Sequence, residues 1–120
     1  PAYGNMYNKY LLELYTGILN EPAKAEVIAA RELLNRTKPQ TYAWYVWALY
    51  SNNKTAEAEK IYQQHVSGRP LEGLELYWMG KYMQEQNKGY NAQQFFKAAD
   101  KNRYDLSPAM VKDLEKELKE

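Results

Sequence analysis

Apolar side chains recur along this chain at spacings of three and four, the period of a helix with one buried face. Leu11, Leu14, Tyr15 and Ile18 form one such stripe, and Tyr42, Tyr45, Val46 and Leu49 form a second. Ala58, Ile61, Tyr62, His65 and Val66 make a third. Leu76, Met79, Gly80 and Met83 follow, then Ala92, Phe95, Phe96 and Ala99. No segment alternates with period two. Turn-forming clusters separate the stripes: Asn20-Glu21-Pro22, Lys38-Pro39, Asn52-Asn53-Lys54, Gly68-Arg69-Pro70, Asn87-Lys88-Gly89 and Leu106-Ser107-Pro108. The pattern predicts an all-α chain with seven helices near 6–19, 22–36, 40–52, 55–67, 72–86, 90–101 and 107–119, neighbours antiparallel.

The stripes also repeat against one another. Val46 matches Gly80, Ala58 matches Ala92 and Tyr62 matches Phe96, all at one and the same interval. An interval of about 34 residues over paired helices marks a repeat architecture. Small residues such as Ala58, Ala92 and Gly80 let two helices approach closely, and the ring at Tyr62 or Phe96 fills the space beside them. Upstream the repeat is degenerate: Ala25 falls one position short of the register set by Ala58 and Ala92.

Leu76-x-x-Met79-Gly80 followed by Ala92-x-x-x-Phe96-x-x-Ala99 resembles the tetratricopeptide consensus. Tyr42, Tyr45, Val46, Ala58 and Tyr62 keep it more loosely, with His65 where a small residue is usual and Pro70 closing the unit. The run Thr41–Tyr50 is similar to a Trp-Ala-Leu-Tyr helix of bacterial tetratricopeptide proteins, and Ala29–Leu34 resembles a second helix of a preceding pair. The resemblance implies one domain, 1–120, folded as a right-handed helical-hairpin solenoid of about three pairs: a degenerate repeat over 6–38, repeats over 39–72 and 73–106, and a capping helix over 107–120. Ser107 as N-cap and Pro108 at the first helical position open that cap. Its stripe Val111, Leu114, Leu118 is narrow among charged residues, as the end of a stack requires.

Charge and composition remove several function classes. Among 120 residues, 16 basic and 15 acidic side chains give a net charge of +1, so nothing favours nucleic acid or anionic lipid as the main partner. No apolar run approaches the ~20 residues of a membrane span, so no membrane insertion is expected. Cysteine is absent, excluding disulfides and thiolate metal sites and leaving the compartment, cytoplasmic or periplasmic, open. The Pro1-Ala2-Tyr3-Gly4 start and the helical Glu115–Glu120 end leave room for further chain and further domains.

No reactive constellation emerges. His65 is the only histidine, and its stripe position suits a packed imidazole between paired helices better than a ligand. Phosphate-cradling, nucleophile-elbow and zincin motifs are missing, so neither an enzyme nor a cofactor is expected. The aromatic surplus, 12 Tyr and 3 Trp against 2 Phe, is what could carry function. In the tetratricopeptide family the first helix of each pair lines a concave groove. The resemblance therefore implies a site for a protein or peptide partner at Ala43, Trp47 and Tyr50 from one pair and Tyr77, Lys81 and Gln84 from the next. The positions that a carboxylate-clamping subclass of the family uses hold Ala43, Trp44, Trp47, Leu74, Trp78 and Lys81 here, a single cation among them, so the resemblance does not imply recognition of a terminal carboxylate. The alternatives are that the rings pack as core, that the segment rigidifies and caps a longer array, or that the aromatic faces stack on glycans.

Overall fold

A computed structural model describes residues 2–119, with side chains from residue 7 onward; Pro1 and Glu120, the outer residues of the expected domain and cap, lie outside the described residues. Seven α-helices fill it: α1 (Ala2–Thr16), α2 (Pro22–Leu33), α3 (Pro39–Ser51), α4 (Thr55–Ile61), α5 (Gly73–Glu85), α6 (Gly89–Asp100) and α7 (Pro108–Lys119). A π-helical turn, Tyr62–Val66, prolongs α4, and a 3-10 turn, Arg103–Asp105, precedes α7. No strand forms among the described residues. The chain divides into two compact units, Pro1–Arg69 and Pro70–Glu120.

In the first unit α1 packs on α2, α2 on α3, and α3 on both α4 and the π turn. Pro22 and Pro39 stand in the first turns of α2 and α3, where a missing N–H costs nothing. Leu12, Ala25, Ala29, Val46, Leu49 and Ala58 are fully buried. One stripe residue departs from its expected place. Ile18 is 86% exposed, because α1 stops at Thr16 and the weak helix former Gly17 follows.

In the second unit α5 packs on α6, and α6 on α7. Gly80 is buried, and a Cβ there would stand 2.5 Å from the Phe96 ring, so glycine is what lets that ring pack against α5. Gly73 plays a similar part at the start of α5, where a Cβ would run into the Asn102 carbonyl and the Asp105 side chain. The Ser107 hydroxyl caps α7 by accepting the Met110 N–H at 3.3 Å.

Helix bounds carry the same offset that the apolar residues carry. Both α3 ends, the α4 start and the π-turn end recur at that offset in α5 and α6, and the end of α7 stands at the same offset from the end of α5. The missing position of the upstream register is found between pairs: residues 34–38 join α2 to α3, while the longer 67–72 joins the π turn to α5. Asn8 donates to Glu32 at 2.5 Å across α1 and α2, and Tyr42 stacks on His65, centroids 3.9 Å apart and planes 5° apart, across α3 and the π turn. The positions that match Tyr42 and His65 in the next pair hold Leu76 and Ala99. The π turn falls where the imidazole replaces a small residue, and its extra width makes room for the stacked ring.

Candidate interaction surfaces

On α3, one of the residues expected to line a groove is buried and the other two are half-buried. Ala43 is fully buried and presents no surface to a ligand. Trp47 is half-buried: its indole N–H donates to the Thr16 hydroxyl at 3.1 Å, and that hydroxyl donates to the Leu12 carbonyl at 2.8 Å, tying α3 to α1. The Tyr50 ring lies beside it, centroids 5.9 Å apart. Below them the Glu26 carboxylate of α2 accepts from the Asn52 amide and from the Lys54 ammonium, each at 2.9 Å, at the α3–α4 turn. Burial pushes Glu26 up, but these two donors and the Lys54 charge outweigh it and hold the carboxyl below its ordinary value.

On α5 the expected residues are engaged by α7. Tyr77 is buried, and its hydroxyl donates to the Asp113 carboxylate at 2.6 Å. The Lys81 ammonium lies 3.0 Å from Asp113 and 3.0 Å from Glu117, one turn further along α7. Gln93 of α6 adds a bond to the Glu117 main-chain carbonyl at 3.1 Å. Burial pushes Asp113 up, yet the Tyr77 and Lys81 donors, with the Lys81 and Lys116 charges, bring it below its ordinary value. Lys81 moves the other way for the same reason. Burial disfavours its charge, the two carboxylates outweigh that, and its pKa is raised. Gln84, half-buried one turn beyond Lys81, lends its main-chain carbonyl to the turn at Asn87. The structure thus joins Trp47 to Tyr50 and Tyr77 to Lys81.

A further surface, which takes in Tyr15 and Ile18 of the first stripe, lies on the α1–α2 hairpin. Tyr15, Ala23, Lys24, Val27 and Ile28 line an open cleft of about 400 Å³. Ile18, 48% exposed Leu19 and 53% exposed Val27 extend the set of open apolar side chains on this hairpin. Lys24 sits over the Tyr15 ring, 5.6 Å from its centroid, and pairs with Glu21 at 3.0 Å. The signal for this surface was present in Ala25–Ala29. There Val27 and Ile28 add apolar faces beyond the buried Ala25 and Ala29, a width of apolar surface that one neighbouring helix does not use.

Among the described residues no group of three or more His, Asp or Glu side chains is arranged to hold a metal ion, and no helix is long and apolar enough to cross a membrane. The fold defines a class, an all-α chain of seven α-helices among the described residues. No protein-family model, curated protein or solved structure matches the chain.

Proposed function

We propose that this chain is a tetratricopeptide-type protein-interaction module, with no catalytic centre, whose paired helices stack as a right-handed solenoid and present helix faces to a protein partner. The open apolar surface of α1 and α2 carries the reading. A chain that leaves several large aliphatic side chains exposed around a cleft is built to cover them with something. Across the last two pairs, the recurrence at one offset of helix bounds, of buried Ala58 and Ala92 and of left-handed Asn53 and Asn87 supports the repeat architecture. A partner helix laying one apolar stripe between Tyr15 and Val27 suits the cleft, and Lys24 at its edge favours an acidic residue on that helix.

Ile18→Glu combined with Val27→Glu tests this. Both side chains are exposed, so helical content and melting temperature should stay as they were, while partners retained by the tagged chain from a lysate of its source cells should be lost. A large fall in melting temperature would make the face part of the fold itself, and unchanged retention would remove it from function. The same face favours a second reading, in which another hairpin of a longer array packs there and this segment supplies rigidity and a cap.

A further inference from the structure

Helix α7 is attached to the second unit in an unusual balance of contacts. Leu114 is its one fully buried side chain, while Met110, Val111 and Leu118 are each only partly covered. The rest of its grip is polar. Asp113 and Glu117, four residues apart and so on one face of the helix, both reach Lys81, and Asp113 also receives the Tyr77 hydroxyl. Arg103, in the turn before the helix, pairs with Glu115 at 2.9 Å. Ion pairs of this partly solvated kind add little net stability to the docked helix. An element with little buried apolar surface, entered through a short turn, belongs to the part of a fold that opens locally first.

Tyr77 and Lys81 are also residues that the tetratricopeptide resemblance assigns to a ligand. What they hold is a helix with the pattern Asp-Leu-x-x-Glu. We propose that α7 is an in-chain ligand occupying the Tyr77–Lys81 face of α5, and that this face recognises partner helices carrying two carboxylates four residues apart beside a leucine, which bind by displacing α7. The proposal rests on the interaction-module reading and adds the partner's chemistry and a means of regulation. Docked, α7 blocks the face. A competing helix must present the same two carboxylates to the Lys81 ammonium and the same apolar side chain to the Leu114 site. Helices without the acidic pair lose the lysine and are rejected, because a half-buried ammonium is then left without its counter-charges.

The probe is a fluorescent, end-blocked peptide with the sequence of residues 107–119, titrated into the full chain and followed by anisotropy. Asp113→Asn with Glu117→Gln in the chain loosens α7, and the peptide should then bind at least about tenfold tighter than to the unaltered chain. Adding Lys81→Met should abolish that binding, as should the same Asn and Gln changes made in the peptide. Equal affinity for the unaltered and loosened chains, or indifference to Lys81→Met, overturns the proposal. Amide exchange on the unaltered chain provides a check that needs no variant. The α7 amides should exchange at least about a hundredfold faster than those of α5 and α6, and protection equal to theirs overturns the proposal too. Failure here leaves the α1–α2 surface and its Ile18 and Val27 test untouched, so the two readings fall separately.

Discussion

Gly80 shows how a single residue can carry a packing decision. In the middle of α5 an alanine would be the better helix former by about 1 kcal/mol. Yet the Phe96 ring leaves no space for a methyl group, and the ring cannot swing away because it is itself fully buried. Gly80→Ala should therefore lower stability in urea unfolding despite its helix propensity, and Gly80→Leu should cost about 1–3 kcal/mol or more. Combining either change with Phe96→Leu should recover part of the loss, since the ring is what the new side chain strikes. An additive double variant would show that Phe96 is not the obstacle. His65 makes the complementary point. The ring occupies a position where the next pair has the buried Ala99, and a widened turn and a stacked tyrosine accommodate it. Its identity was legible in the sequence. The π turn was not, because hydrogen-bond width is decided by what the ring packs against.

At the scale of elements, the ends of the first helices repeat more closely than their interiors. Asn20, Asn53 and Asn87 all take left-handed backbone conformations, with φ of 48°, 64° and 60°. At the last two the same pair of bonds closes the helix: the asparagine N–H reaches the carbonyl three residues back, and the following lysine N–H reaches the carbonyl five back, at Leu49 and Met83. Asparagine tolerates this conformation better than other residues with a side chain, and glycine better still. Asn87→Ala should thus destabilise the protein by about 1 kcal/mol while Asn87→Gly stays near neutral, measured by thermal or urea unfolding. Equal losses from both would mean that the asparagine side chain, and not the backbone angle, matters. These turns were readable as Asn-rich breaks. Their angles follow from the need to reverse the chain within three residues, 52–54 and 86–88, while satisfying the last carbonyls.

At the scale of the whole molecule, each unit carries one polar cluster whose carboxylate titrates low: Glu26 beneath Asn52 and Lys54 in the first, Asp113 between Tyr77 and Lys81 in the second. Glu117 shares Lys81 with Asp113, and Lys116 adds a favourable charge. A carboxylate whose folded pKa is depressed stabilises the fold above its ordinary value and loses that contribution as pH falls through the folded value. Lys81, raised, keeps its contribution below its ordinary value and loses it only at strongly alkaline pH. Glu13 runs the other way, since burial outweighs the Lys9 charge and raises its pKa, so protonation relieves a cost. The two depressed carboxylates predict a melting temperature that falls as pH drops below the ordinary carboxylate range. Asp113→Asn should flatten that fall, and an unchanged profile would show that the cluster holds nothing.

The sequence by itself determined that this chain is helical, where its turn clusters fall and which small residues sit buried at the close approaches. Those follow from local period, turn chemistry and side-chain volume, all of which are properties of neighbours along the chain. Which face of each helix would be left for a partner was decided only by tertiary structure. Tyr77 and Lys81 are polar-tipped residues off the main stripe and read as open groove, but they are taken up by two carboxylates of α7, far along the chain. Ile18 reads as core by its spacing and stands open because its helix has already ended at Thr16. Exposure depends on what folds back over a residue, and a repeating pattern of apolar positions records the helix without recording its cover.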